Sequence, residues 1–433
     1  MSVYLPTAAV GNGRVLVTLG GSGEVMAFFY PRLDFAQNVR ECLPAIYVGD
    51  PGHGVLHWTF DPAFRRSQTY FDHTSLLRTQ LDLVTPPLQI LLEDFCPPGA
   101  TALVRRIGFA NTGDSRFRGT FLHYFDLRLG EVQGKQAVRW EPETGCVVQY
   151  FRDLVLAVGG TRPDVWRCGK SVDPGSPASA KSDLLDGHLN GQPEDIGQVD
   201  FALGWRLDLA PGETRTLDLL LAAERNPRRT AHHVRDLLAQ GTTALRQATV
   251  AGDGQWLAQA APLGVSARLG AAYQRALLSL RLLVDQTTGA ILAAPEFDPG
   301  YTLSGGYGYC WPRDASWAAQ SLRRAGYPQY AHALADWYAR HQLEDGFWGQ
   351  RYWCDGQLAA SWALREDFLQ LDQCGAALIT LSEAALEEAE AERAERLWRA
   401  VERGAAAVRR ATAIAASVYT NRPQYVSHRS QAW

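Results

Sequence analysis

An arginine and an aspartate stand side by side at positions 313 and 314, directly after a cluster of aromatic residues. Two tyrosines and Trp311 lie within the five residues that precede Pro312. An aromatic face can stack on the apolar face of a sugar ring, and an Arg–Asp pair can hold vicinal hydroxyls through charge-assisted hydrogen bonds. Trp311, Arg313 and Asp314 are therefore candidates for binding a sugar. The pair alone is equally typical of a helix-capping aspartate beside a surface arginine.

The residues that follow this pair predict a helix. Asp314 suits the N-cap position, and Gly326 is a suitable residue to end the helix. Small and apolar residues recur on one helical face at Ala315, Trp317, Ala318, Ser321 and Leu322. The charged pair would then lie at the mouth of a helix, facing a cavity.

A second segment rich in aromatic and acidic residues lies between positions 344 and 356. Asp-Gly pairs at 345–346 and 355–356 predict two tight turns, because glycine adopts a positive φ without strain. Four large rings lie between the turns, at Phe347, Trp348, Tyr352 and Trp353. So many rings in one loop indicate a ligand surface. Trp348, Arg351 and Asp355 are further binding candidates, although an Asp-Gly pair is explained as well by the turn itself.

Several motifs in this order resemble glycoside hydrolase family 15, the glucoamylase family, which also contains glucodextranases and some prokaryotic trehalases. The motifs lie at 311–314 (WPRD), 345–356 (DGFWGQRYWCDG) and 369–373 (LQLDQ). Segments 281–285 and 289–296 resemble the helix and loop that precede the first motif in the family. Segments 11–14 and 30–32 resemble the start of the β-rich domain of its prokaryotic members. The resemblance extends to about residue 400.

The resemblance implies an N-terminal β-supersandwich followed by an (α/α)6 barrel. It implies that Arg313 and Asp314 bind the non-reducing terminal sugar, that Trp311 lines the same pocket, and that Trp348 borders the next sugar. Arg351 and Asp355 are weaker candidates. The implied activity is exo-acting, inverting hydrolysis of α-linked glucose from an oligosaccharide, a polysaccharide or trehalose. We expect neither a cofactor nor a metal ion.

The resemblance also leaves the catalytic residues unassigned. Inversion needs two carboxyl groups about 6.5–9.5 Å apart, and in the family both are glutamates on later loops, the acid within an aromatic-Glu-Glu segment. No such segment follows Asp314. The glutamates after Leu381 alternate with Ala and Arg at helical spacing, which is typical of a solvated helix face. We therefore predict no catalytic residue here, and the alternative function is a non-catalytic carbohydrate-binding or regulatory module of the same fold.

The chain divides into three predicted regions, a β-supersandwich over 1–227, a helical linker over 228–266 and part of the barrel over 267–433. Helical periodicity is present near 270–286, 314–325, 329–342, 367–386 and 391–416. At about 12 residues per helix, a twelve-helix barrel needs far more chain than this. We therefore expect about half a barrel, from a truncated or frame-shifted reading, and self-association through unpaired apolar helix faces.

The first half of the chain predicts a sandwich of antiparallel strands, because short apolar runs alternate there with Gly, Pro and Asp. The runs lie at 15–19, 25–29, 88–92, 103–109, 121–125, 147–150 and 216–221. Residues 170–197 are polar and predict a long loop.

Composition restricts the remaining function classes. A chain of 433 residues with 46% hydrophobic content can bury the cores of two domains. A net charge of −4, with both signs spread along the chain, excludes the basic surface of a nucleic-acid-binding protein. Seven widely spaced cysteines favour reduced core thiols over a disulfide framework or zinc site. Without a signal-like start or an apolar run of about 18 residues, we expect a cytoplasmic protein that does not contact the membrane.

Overall fold

The computed structural model describes residues 6–171, 176–295, 306–361 and 370–421. Seventeen β-strands and eight α-helices lie within these ranges. The strands are β1 Ala8–Gly11, β2 Leu16–Leu19, β3 Val25–Phe29, β4 Val39–Val48, β5 Val55–Trp58, β6 Phe64–Tyr70, β7 Leu77–Leu83, β8 Leu88–Phe95, β9 Ala102–Asn111, β10 Phe117–Leu127, β11 Gln136–Glu141, β12 Cys146–Phe151, β13 Leu154–Gly160, β14 Val165–Lys170, β15 Glu194–Gly197, β16 Val199–Leu209 and β17 Thr214–Glu224. The helices are α1 Ala180–Asp183, α2 Pro227–Gln240, α3 Thr242–Leu257, α4 Ala267–Leu282, α5 Pro312–Arg324, α6 Pro328–His341, α7 Leu371–Glu387 and α8 Ala391–Asn421.

The strands form three antiparallel sheets. The largest has nine strands in the order β15-β11-β12-β13-β17-β9-β8-β7-β6. A five-stranded sheet has the order β14-β16-β10-β4-β5, and β1, β2 and β3 form a small third sheet. One apolar core takes side chains from all three sheets, for example Phe28 from β3, Leu92 from β8 and Phe121 from β10. The fold of this region is therefore a sandwich of antiparallel sheets, as the apolar runs predict.

The burial pattern of each strand shows which faces are covered. In β7 every second residue is buried, which is the pattern of a strand with one face in the core. In β10 almost every residue is buried, because Phe121 faces the central core while Leu122 and Tyr124 face a second apolar cluster that includes α1. The nine-stranded sheet is covered on its outer face by α2, through Val234 and Leu237.

Compact packing divides the chain into two units. Among the described residues, the first contains those up to 259 together with 263–283, 295 and 306, and it includes the seventeen strands and helices α1 to α4. The second contains residues 260–262, 284–294, 307–361 and 370–421, and it includes α5, α6, α7 and α8. Helix α4 thus packs with the β unit, whereas the sequence assigns residues from 267 onward to the barrel. The predicted domain bounds stay a prediction.

In the second unit α5 packs on α6 and α7, and α8 packs on α6 and α7. The buried side chains of α5 are Pro312, Ala315, Ser316, Ala319 and Leu322, which recur at helical spacing. These four helices and α4 lie at the five segments where the sequence shows helical periodicity, so those predictions are confirmed.

Two details of α5 differ from the sequence prediction. The helix begins at Pro312, with Trp311 at the N-cap, so that Asp314 lies in the first turn. Proline is favoured at this first position because the helix needs no N–H bond there. Trp317 was placed on the inner face, but its side chain is 65% exposed. Trp317 follows Ala315 and Ser316 directly in the chain, so on the helix surface it lies beside the buried face and not on it.

Residues 170–197, predicted as a long loop, contain α1 and β15 within their described part. All seven cysteines lie in described segments and are buried thiols. Of the helices in the described segments, none combines the length and the apolar character needed to cross a membrane.

Candidate functional site

Arg313 joins the first turns of two helices in the second unit. Its Nη1 atom donates to Oδ2 of Asp372, in the first turn of α7, across 2.6 Å. Its Nη2 atom donates to Oδ2 of Asp314, in the first turn of α5, across 3.3 Å. Both carboxylates lie where helix dipoles favour negative charge. The three side chains form what we call the Arg313 triad, Asp314–Arg313–Asp372.

A buried glutamine fixes the spacing of these two helix ends. Oε1 of Gln373 accepts the backbone N–H of Arg313 across 2.7 Å. The first N–H groups of a helix have no partner within the helix, so Gln373 on α7 supplies one for α5. Its Nε2 atom donates to Oε1 of Gln370 across 3.1 Å, and its side chain is buried. These hydrogen bonds fix the position of Arg313 relative to Asp372.

The outer carboxylate oxygens of the Arg313 triad remain accessible. The side chains of Asp314 and Asp372 are about half exposed. Within the described parts of the chain, no hydrogen bond reaches Oδ1 of either residue. A carboxylate oxygen can accept further hydrogen bonds, so the Arg313 triad presents two acceptors beside a guanidinium. This is the geometry needed to hold hydroxyl groups.

Aromatic residues lie next to the Arg313 triad along the chain. Tyr307 is 45% exposed, and its ring stacks on that of Trp311 with centroids 6.4 Å apart. Trp311 is only 9% exposed, and its Nε1 atom is buried without a hydrogen-bond partner among the described residues. An unpaired buried N–H costs free energy. Of these two rings, Tyr307 presents the more exposed face, and the role of Trp311 at a sugar pocket stays a prediction.

Arg351 packs against the rings of Tyr309 and Trp311. It is buried, its Nε donates to the backbone oxygen of Ala360 across 2.5 Å, and its guanidinium lies over the rings of Tyr309 and Trp311 at 4.8 Å and 5.2 Å. Cation–π contacts of this kind stabilise both partners. A pair of backbone bonds between Cys310 and Tyr352, each 2.9 Å, fixes the two segments side by side. The structure therefore brings Arg351 to Trp311, in a supporting position.

Trp348 lies in the helical core of the second unit. Its side chain is 1% exposed, its Nε1 donates to the backbone oxygen of Tyr338 across 3.0 Å, and its ring meets that of Tyr338 edge to face. The ring also lies so close to Gly404 of α8 that a side chain there would overlap it. This placement gives the Trp348 ring no open face for a sugar.

Asp355 is engaged in the turn that its sequence predicts. Its Oδ1 accepts the backbone N–H of Gln357 across 3.1 Å, and Gly356 has a φ of +87°. At Gly346 of the first Asp-Gly pair φ is +91°. Both turns are confirmed. The bond that Asp355 accepts from Gln357 is that of a turn residue.

The structure thus brings together Trp311, Arg313, Asp314 and Arg351, and it adds three residues that the site prediction omitted. These are Tyr307, Asp372 and Gln373. Asp372 and Gln373 open a predicted helix inside a recognised motif, which was the available signal for them. Among the described residues, no group of three or more His, Cys, Asp or Glu side chains is placed to hold a metal ion.

Comparisons with known proteins show what the whole chain resembles. Residues 268–345, which contain Arg313 and Asp314, match the model of the glycosyl hydrolases family 15. An uncharacterized glycosyl hydrolase of Methanocaldococcus jannaschii is 24% identical over 406 residues, covering 92% of this chain and 62% of the relative. This chain therefore spans less than two thirds of the length of that curated relative.

Solved structures show the same fold. A bacterial glucoamylase complexed with acarbose superposes with a TM-score of 0.69 at 13% identity, over 94% of this chain and 67% of that one. A putative kojibiose phosphorylase from the human microbiome gives a TM-score of 0.51 at 10% identity, over 88% and 54% of the two chains. A GH92 α-mannosidase from Bacteroides thetaiotaomicron also gives 0.51 at 10% identity, over 92% and 54%.

The predicted fold class is confirmed by these superpositions, with a β-sandwich followed by part of a helical barrel. The family match, the curated relative and the glucoamylase superposition agree on one relationship. The chain is similar to the glycosyl hydrolases of family 15, and its fold is related to that of a bacterial glucoamylase.

Proposed function

We propose that this chain binds the non-reducing terminal sugar of an α-linked oligosaccharide or polysaccharide at the Arg313 triad, as the sugar-binding part of an exo-acting, inverting glycosidase. The observation that carries the proposal is the partly exposed side chain of Arg313, whose guanidinium is held between the carboxylates of Asp314 and Asp372. A terminal pyranose presents vicinal hydroxyls that both donate and accept. The triad offers donors and acceptors side by side for such a pair.

The aromatic residues support the same proposal. Tyr307 exposes a ring next to Trp311, and an apolar ring face suits the C–H face of a pyranose. The guanidinium of Arg351 holds Trp311 from behind and fixes its orientation. Trp311 and Arg351 therefore act in positioning, while Tyr307, Arg313, Asp314 and Asp372 contact the sugar. Trp348 and Asp355 have no part in the proposed contact.

We assign the two carboxylates to binding and not to proton transfer. Each carboxylate already accepts a hydrogen bond from Arg313 through its Oδ2 atom. Its Oδ1 atom is then the acceptor for a sugar hydroxyl. A general acid must instead present a proton to the leaving oxygen. The chain has no aromatic-Glu-Glu segment after Asp314. The expected behaviour of the chain as it stands is sugar binding without turnover.

The test combines binding with turnover. Acarbose, the ligand of the similar bacterial glucoamylase, is titrated calorimetrically into the chain, together with maltotriose, isomaltotriose and trehalose. Glucose release from the last three is measured in parallel. We expect acarbose and at least one of the sugars to bind, without glucose release. The absence of binding by all four ligands would overturn the proposed site, and turnover that survives Arg313→Ala would show that hydrolysis does not use it.

A further inference from the structure

A cavity lies in the β unit, on the outer face of the five-stranded sheet. Its volume is about 210 Å³, and it opens between β4, β10 and α1. Its walls combine charged and aromatic side chains, chiefly Arg40, Glu41, Trp58, Tyr124, Asp126 and Lys181. None of these residues belongs to the Arg313 triad or to the residues around it.

A register irregularity in the sheet builds one wall. Asp126 of β10 pairs with Glu41 of β4, but the next residue, Leu127, pairs with Val39, so that Arg40 is an extra residue in β4. A bulge of this kind redirects a side chain. Here Nη1 of Arg40 donates to Oδ2 of Asp126 across 3.1 Å. The bulge therefore places Arg40 and Glu41 at the same cavity.

The floor of the cavity is polar and buried. Asp126 is buried, and it accepts hydrogen bonds from Arg40 and from the hydroxyl of Ser171. The pKa of Asp126 is raised above its ordinary value, because desolvation by this burial outweighs the lowering effects of the Ser171 bond and the nearby Arg40. A carboxylate kept out of water costs free energy unless it is paired. These bonds hold its position and leave a polar surface under the cavity.

Aromatic rings also line the cavity. The ammonium of Lys181 lies 5.8 Å from the ring centre of Trp58 and 5.3 Å from that of Tyr124, and it donates to Glu41 across 2.5 Å. The ring of Trp58 is parallel to that of Phe60, which is exposed. Trp58 itself is half-buried and Tyr124 is buried. Partly exposed rings beside hydrogen-bonding groups suit a ligand with both an apolar face and polar edges.

The charge balance selects among such ligands. Arg40 and Lys181 carry two positive charges, and their partners Asp126 and Glu41 are two acidic groups within the same cavity. The positive and negative charges of the cavity therefore balance. An anionic ligand such as a phosphate or a carboxylate would gain little binding energy there. The volume is below the roughly 300–1,000 Å³ of pockets for drug-sized ligands. A single neutral ring with several hydroxyls fits both properties.

We propose that this cavity is a second carbohydrate site, which binds one neutral hexopyranose between Trp58, Tyr124 and the Lys181–Glu41 and Arg40–Asp126 pairs. The sugar's C–H face packs on the rings, and its hydroxyls contact the two ion pairs. The site lies in the β unit and uses no residue of the proposed glycosidase site.

Lysine content provides a direct probe. The chain has only three lysines, Lys135, Lys170 and Lys181. Reductive methylation with ¹³C-formaldehyde therefore gives three lysine signals, and Lys181→Arg assigns the signal of Lys181 by its loss. D-glucose, D-galactose and D-mannose are titrated separately into the labelled chain, with inorganic phosphate as the anionic probe. We expect at least one hexose to shift the Lys181 signal in a saturable way, and the signals of Lys135 and Lys170 to stay unchanged.

Matched variants make the result specific. Lys170 donates to Asp195 across 2.6 Å, and its side chain is 41% exposed, against 39% for Lys181. We expect Lys181→Met to weaken hexose binding, measured by saturation-transfer NMR on the unlabelled chain, by about tenfold or more, and Lys170→Met to leave it unchanged. Trp58→Ala should abolish the binding while far-UV circular dichroism stays the same.

The outcomes separate this site from the proposed glycosidase site. Persistence of the Lys181 shift in Arg313→Ala supports an independent site. The proposal is overturned if no hexose moves the Lys181 signal, if phosphate alone moves it, if all three lysine signals move together, or if Arg313→Ala abolishes the shift.

Discussion

Arg313 and Asp372 lie 59 positions apart in the chain, yet the Nη1 and Oδ2 atoms of their side chains are 2.6 Å apart. The bond connects the first turn of α5 to the first turn of α7, the two helix ends that carry the acidic residues of the proposed site. Gln373, the residue after Asp372, connects the same two helices by accepting the backbone N–H of Arg313. Binding at the Arg313 triad therefore depends on how these two helices pack.

Replacement of Arg313 by alanine should weaken sugar binding. The variant removes charge-assisted hydrogen bonds worth about 1.5–3 kcal/mol each, which corresponds to roughly a tenfold to hundredfold rise in Kd for acarbose. Isothermal titration calorimetry measures the change. An unchanged Kd would contradict the assignment of Arg313 to the sugar site.

Arg323 provides the matched control for this variant. It lies at the other end of α5, its side chain is 28% exposed against 29% for Arg313, and it also pairs with two carboxylates of α7, Glu383 and Glu387. Arg323→Ala thus removes a comparable link between the same helices. We expect it to change stability as much as Arg313→Ala does and to leave the Kd for acarbose unchanged.

Replacement of Gln373 by leucine should destabilise the second unit. The side chain keeps a similar volume but loses the acceptor for the N–H of Arg313, and a buried donor without a partner costs about 1–3 kcal/mol. Urea denaturation followed by tryptophan fluorescence gives the free energy of unfolding. Gln357→Leu, at an exposed glutamine of the same unit, is the control and should stay near the wild-type value. Equal stability of the two variants would argue against the capping role of Gln373.

The two glycines Gly356 and Gly375 should respond to alanine in opposite directions. Gly356 has a φ of +87°, and a Cβ atom there would overlap the imidazole of His341, so Gly356→Ala should lower the free energy of unfolding by more than about 1 kcal/mol. Gly375 lies inside α7 with open space at the Cβ position, so Gly375→Ala should raise it by about 0.5–1 kcal/mol. Thermal denaturation shows whether each variant is more or less stable than the wild type. A change of stability in the same direction for both variants would contradict the prediction.

The buried His123 should make the β unit less stable in mild acid. It lies in the sandwich core, where burial and then the charge of Arg105, whose Nη1 is 3.1 Å from Nε2, hold its pKa well below the ordinary 6.5. Above pH 6.5 the histidine is neutral in both states, so its contribution is constant. As the pH falls from 6.5 toward the folded pKa, only the unfolded chain takes up the proton, and stability is lost.

The variant His123→Gln keeps a polar group next to Arg105 and removes this titration. Between pH 6.5 and 5.5, we expect the wild type to lose about 1 kcal/mol more than the variant, as measured by urea denaturation at each pH. His53→Gln, at an exposed histidine of the same unit, is the control and should follow the wild type. An identical pH dependence in wild type and His123→Gln would exclude His123 as its source.

Much of the fold was predictable from local patterns. The apolar runs at 88–92 and 103–109 lie in β8 and β9, and the helical periodicity near 329–342 marks α6. These elements follow from side chains close in sequence, through alternation in strands and a period of 3.6 in helices. The start of α5 was placed two residues late, because Pro312 is as compatible with the first turn as with the loop before it.

The site was predictable only in part. The sequence singled out Arg313 and Asp314, but it gave no reason to rank Trp348 below Tyr307 as a sugar contact. Both are aromatic residues in loops next to helices. The packing of α7 and α8 buries Trp348, whereas Tyr307 keeps an open face.

The amino-acid sequence by itself determined the strands that contain its seven apolar runs, the helices from α4 to α8, the Asp-Gly turns at Gly346 and Gly356, and the presence of a charged pair at a helix start. Each depends on neighbours within a few residues. Only the tertiary structure decided that Asp372 and Gln373 complete the pair, that Trp348 is core, and that a bulge at Arg40 shapes a cavity in the β unit. Those outcomes depend on which faces of distant elements meet, and the period of a helix or strand specifies a buried face without specifying its partner.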